Sequence, residues 1–96
     1  MARLLGADGS ETKVAANGKK FSLVELQAYV GGYIQVLDHW VSVLGKRQRV
    51  RMIINEEGKL RGLPYNKVAT ELIGEVLMPG DHIVGTALVL EKGEGI

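Results

Sequence analysis

The sequence predicts a small α+β domain, a mainly antiparallel sheet carrying two short helices in the order β-β-α-β-β-(β)-α-β. Three observations predict it. Residues 21–36, FSLVELQAYVGGYIQV, start a helix, stop it and restart as a strand. A second helical run is led by Asn66 and extends through Ile73. The other apolar segments are short and end at turn signals such as Asp8-Gly9 and Asn17-Gly18.

Taken in order, Arg3 to Ala7 form a first apolar run ending at Asp8-Gly9. Residues 12–16 return as its hairpin partner, although glycine and alanine make both strands weak formers. Ser22 is placed to cap the first helix with its hydroxyl, and Glu25 can reach back to complete a capping box. Phe21 stands ready to pack on Leu26 as a hydrophobic staple. Leu23, Leu26 and Val30 share one helical face, and Gly31-Gly32 ends the helix.

Residues 33–37 read as a strand. Residues 38–44 allow two readings: a bent extension of that strand, or a loop whose Trp40 caps the core. Gly45 closes the segment, residues 46–49 are polar, and residues 50–54 make a central strand. Residues 55–59 form a glycine-containing turn, and residues 60–63 a short strand that Pro64 ends. Asn66 caps the second helix, with Val68, Ala69, Leu72 and Ile73 on its buried side and Gly74 as its stop. After the Pro79-Gly80-Asp81 turn, residues 82–90 form the last strand. Residues 91–96 are expected to fray. With no repeat and no linker, residues 1–96 read as a single domain.

Composition narrows the function classes. At 46% hydrophobic and 24% charged, the chain is expected to fold rather than stay disordered. A net charge of +1 gives no bulk argument for nucleic acid. The chain has no cysteine, which removes disulfides, thiolate metal sites and a cysteine nucleophile. No secretory signal is read at Met1-Ala2-Arg3, and no apolar run approaches a bilayer span. A cytoplasmic protein without membrane contact is expected.

Few side chains suggest chemistry. Arg47, Arg49 and Arg51 alternate, so an extended strand would point all three the same way. Three guanidiniums on one face suit a phosphate or carboxylate, and equally suit a solvated edge kept unpaired by charge. Tyr33 and Trp40 could stack a base, or fill the rim of a small core. Asp38-His39 and Asp81-His82 are adjacent pairs, but neighbours on a strand point to opposite faces and no metal-ligand spacing is present. Glu56 and Glu57 read as solvated turn residues. No phosphate-binding glycine motif, Walker loop or HExxH occurs. No catalytic residue, metal ligand or cofactor is therefore assigned, and a non-enzymatic protein is expected.

Val30-Gly31-Gly32-Tyr33-Ile34, residues 54–60, Gly62-Leu63-Pro64, Asn66 and Ala69-Thr70 together carry one resemblance. In this order they resemble a family of small domains of unknown function that is frequent in phages and mobile elements. The likeness covers about three quarters of the chain and departs at residues 39–51, which are longer and more basic. What it implies is a phage or mobile-element origin, with action in the host cytoplasm, and attention to residues 55–70. There Asn55, Asn66 and Thr70 could be a turn and a cap, or could converge with Tyr33 and Arg51 on a ligand.

The leading expectation is a homo-oligomeric protein that binds a small anionic ligand, such as a host immune signalling nucleotide that it sequesters. Arg47, Arg49 and Arg51 would hold phosphates while Tyr33 or Trp40 stacks a base. The alternative is a protein-binding inhibitor or adaptor, and the third reading a nucleic-acid-binding accessory. The leading expectation requires the three arginines to share a face and to be free of acidic neighbours.

Overall fold

Alternation of buried side chains along short strands lets one sheet accept a helix on each face, and this chain uses both faces. A computed structural model describes residues 1–95. Its strands are β1 (Ala2–Leu5), β2 (Glu11–Val14), β3 (Ile34–Val43), β4 (Lys46–Asn55) and β5 (Ala87–Leu90). They form one sheet in the order β2-β1-β5-β4-β3, and every pairing is antiparallel. The helices are α1 (Leu23–Val30) and α2 (Lys67–Ile73). The expected α+β class is what the structure shows.

Ile53, Leu88 and Leu90 point to one face, where Phe21, Leu26 and Val30 of the α1 region cover them. Met52, Ala87 and Val89 point to the other, under Ala69 and Ile73 of α2. Burying each such leucine or isoleucine contributes about 1.5–3 kcal/mol. α1 begins as its sequence suggests: the Ser22 hydroxyl accepts from the Glu25 amide at 3.1 Å, and the Glu25 carboxylate accepts from the Ser22 amide at 3.0 Å. The second Glu25 oxygen accepts from the Asn17 amide, so its carboxyl sits below the ordinary 4.5, chiefly through the Ser22 amide. Gly31, at φ 80°, ends the helix in the left-handed region.

Several local expectations are corrected. Leu23 is exposed, because Phe21 fills the core beside Leu26. Val68 is also exposed, and α2 buries Ala69 and Ile73 instead. α2 ends at Gly74 as expected, but Gly74 stays right-handed and leads into a 3-10 turn, Gly74–Val76, instead of taking the left-handed conformation. Residues 60–62 belong to a turn and Leu63 is irregular, so no strand forms there. The last strand starts at Ala87 because Gly85, at φ 76°, breaks the extended run. A Cβ there would stand 2.8 Å from Leu63 Cδ1, so close packing also requires glycine.

Residues 38–43 are strand throughout, and Leu44-Gly45 closes a tight β3–β4 hairpin. Both turn residues have positive φ, 51° and 80°, the pattern that matches the twist of paired strands. At the other end, the Phe21 amide donates to the Gly95 carbonyl at 3.1 Å. Arg51 donates to the carbonyls of Glu91 and Glu94, so the described part of the tail is tied to the domain. Of the segment expected to fray, Ile96 lies outside the described residues.

Candidate functional site

β4 pairs with β3 along its whole length but with β5 only from Arg51 to Ile53. Residues 46–50 therefore project with β3 as a ribbon beyond the rest of the sheet. The reason lies in the tail. Glu94 N–H donates to Glu91 O at 3.1 Å, and Gly93, at φ 88°, lets the chain turn away where β5 would otherwise continue. The result is a cleft of about 610 Å³ beside β4. Its charged lining is Arg3, Arg47, Arg49, Arg51, Lys92 and Glu91, and Trp40 and Val50 also border it.

The cross-strand register puts Arg47 opposite Ser42, Arg49 opposite Trp40 and Arg51 opposite Asp38. Facing residues share a side, so the three arginines do form one row with Trp40 and Asp38. The row is not free. Arg49 binds Asp38 through both carboxylate oxygens, at 2.8 and 2.7 Å. Its guanidinium holds the Asp38 carboxyl below the ordinary 3.8. Arg47 contacts Glu75 and the Ser42 hydroxyl, each at 3.2 Å, and the Trp40 carbonyl. Arg51 differs, because its bonds go to the main-chain carbonyls of Glu91 and Glu94. Those acceptors orient the guanidinium without neutralising it. Arg3 lies 3.6 Å from Glu11 and from Glu91.

The outer edge of β3 is partly blocked. The Ser42 amide donates to Glu75 and the Trp40 carbonyl accepts from Arg47, so both groups face away from β4. Antiparallel alternation gives Val36 and Asp38 the same outward main-chain orientation. Beside them Trp40 is 58% and Tyr33 66% exposed, with Val36 also exposed.

Asn55, Asn66 and Thr70 do not join this site. Asn55 is buried, donating to Val30 O at 3.1 Å and accepting from the Glu57 amide at 2.8 Å. Asn66 is fully buried and ties three segments: it donates to Leu5 O and Gly85 O, and its carbonyl oxygen accepts from the Ala69 amide. The Thr70 hydroxyl donates to Asn66 O and accepts from the Ile83 amide. All three hold the fold. Tyr33 stands exposed next to β3, away from the cleft lining. Only Trp40 and the arginines are gathered there, joined by Arg3 and Lys92. Sequence reading had no signal for those two, because they arrive from β1 and the tail.

The histidines stand apart: His39 is exposed opposite Val50, and His82 lies against Tyr65, ring centroids 5.5 Å apart. Asp81 is taken by Lys59 and the His82 amide, which lower its carboxyl below 3.8, Lys59 most. Among the described residues no cluster of three metal-ligating side chains occurs, and no helix is long and apolar enough to cross a membrane.

The chain matches the family model described as Domain of unknown function (DUF3846) over residues 3–96. No curated protein and no solved structure matches it.

Proposed function

This chain belongs to the DUF3846 family of domains of unknown function, and on that premise we propose that it is a non-enzymatic binding module acting on another protein as inhibitor or adaptor. One observation carries the reading. The β3–β4 ribbon leaves the sheet with main-chain groups open on both edges and Trp40, Val36 and Tyr33 exposed along it. Such an edge invites pairing unless charge or cover protects it. A phage or mobile-element origin and a counter-defence role in the host cytoplasm belong to the same proposal and rest on the sequence resemblance.

Affinity capture from lysate of cells that carry the gene tests it. Wild type and an exposed control outside the ribbon, Leu60→Ser, should retain one stoichiometric partner that Trp40→Asp loses. Retention by Trp40→Asp refutes the reading.

A small anionic ligand is the second reading, and its support is narrower than the arginine row suggested. With Arg47 and Arg49 facing Glu75 and Asp38, it rests on Arg51, held by neutral carbonyls beside Lys92 and Trp40. Exposed ion pairs are weak, so a multivalent phosphate could displace the Arg49 pair. Melting shifts with cyclic and ADP-ribose nucleotides test this, and native mass spectrometry reports retained ligand and subunit count together. Nucleic-acid binding through the same ribbon would require steep salt dependence.

A further inference from the structure

The cleft beside β4 has the shape of a missing strand. β4 continues through residues 46–50 after its pairing with β5 stops at Arg51. Because Val43 and Lys46 flank the tight turn as a bonded pair, every second residue of β4 from Lys46 turns its main chain toward β3. Arg47 and Arg49 then turn their N–H and C=O groups the other way, into the cleft. The chain that would have filled this space is diverted by the turn at residues 91–94, which Arg51 clasps through two carbonyls.

The walls of the slot differ. Toward α1 stand Arg49 and Arg51, and toward α2 lie the partly exposed Leu72 and the rims of Val50 and Val89, which are themselves buried in the core. Among the described residues the lining draws on Arg3, Arg49, Arg51 and Lys92 against the carboxylate of Glu91, while Arg47 lines it chiefly through its main chain, its guanidinium reaching over β3 to Glu75 and the Trp40 carbonyl. The carboxylates paired with Arg3, Arg47 and Arg49, on Glu11, Glu75 and Asp38, border these side chains from outside that lining. An inserted strand would place alternate side chains on these two walls.

We propose that this slot takes an extended peptide alternating acidic and apolar residues, which adds to β4 in line with β5. This deepens the protein-binding reading and rests on it. Main-chain bonds to Arg47 and Arg49 supply the affinity, the arginines select the acidic positions, and Val50, Val89 and Leu72 receive the apolar ones. The occupied segment is about 17 Å long at roughly 3.4 Å per residue.

The test uses the full chain and a fluorescein-labelled five-residue probe alternating glutamate and valine, with a lysine–valine counterpart as control. Anisotropy should show the glutamate probe binding at least tenfold more tightly. Amide hydrogen exchange at Arg47 and Arg49 should slow when it binds. Arg49→Pro removes a slot-facing N–H without touching the β3 pairing, whereas Arg49→Ala removes only the side chain. The proline variant should bind about threefold to tenfold more weakly than the alanine variant, the scale of one hydrogen bond.

Equal binding of the two probes overturns the proposal, as does no binding at millimolar concentration. Binding without protection of the Arg47 and Arg49 amides also overturns it. If Arg49→Pro does not fold, the exchange measurement on wild type still decides. A lysate partner lost from Trp40→Asp alongside a failed probe would sink the slot and leave the protein-binding reading standing.

Discussion

Replacing Asn66 with alanine separates a structural amide from a ligand-binding one. Asn66 is fully buried, and its amide group serves three elements: the α2 cap, the end of β1 and the Gly85 bend. Losing the cap costs about 1 kcal/mol. Withdrawing the donor from the buried carbonyls of Leu5 and Gly85 adds about 1–3 kcal/mol. The expected loss is therefore about 2–4 kcal/mol, a large share of the roughly 5–15 kcal/mol available to a small domain. At about 4–8 °C per kcal/mol, the melting temperature should fall by roughly 8–30 °C. Asn66→Asp keeps the acceptor for Ala69 but sets a carboxylate against two carbonyls, so it should lose more at neutral pH. Urea unfolding and thermal melts by circular dichroism read both variants. A loss under about 1 kcal/mol for Asn66→Ala, together with lost binding of a partner, would refute the structural assignment and return Asn66 to the site.

Two further outcomes follow from the same structure. Leu44 is 99% exposed and held at φ 51°, a conformation that costs an ordinary side chain about 1–2 kcal/mol. Leu44→Asn should raise stability by about 0.5–1 kcal/mol in urea unfolding, and a loss would contradict the turn assignment. Acid should destabilise the protein. The folded carboxyls of Asp8, Glu25, Asp38 and Asp81 all lie below their ordinary values of 3.8 or 4.5. Depressed folded values give stability that is complete above the ordinary range and lost as pH falls through the lower ones. Melting temperature should be level from neutral pH to about 5 and fall below about 4. A rise on acidification would contradict the pairing of these groups.

The elements with local grammar were legible. Ser22 with Glu25, Gly31 after Val30 and Asn66 before α2 each act within four residues, and the structure uses them as their chemistry suggests. Residues 38–43 were harder because the ribbon has left the sheet. One face of the ribbon lies in solvent and the other is covered only in part, through Val41 and Val50 with Val43 beside them, so Asp38-His39-Trp40 shows no apolar alternation. Leucine at a left-handed position also hides the hairpin turn.

The site was half legible for a related reason. Alternation alone aligned Arg47, Arg49 and Arg51, but their acceptors come from distant elements: Asp38 across the hairpin, Glu75 after α2, and carbonyls of the tail. Asn66 looked like a polar site residue because one of its partners, Leu5, lies 61 positions away. A buried amide and a binding amide are the same letter until those contacts are known.

Amide hydrogen exchange of the free protein, followed residue by residue along β4, tests the open slot most directly. Gln48 and Val50 should be protected by β3, while Arg47 and Arg49 exchange at close to unprotected rates. Equal protection at all four would mean that the second edge of β4 is already filled, and the vacant strand position would not exist.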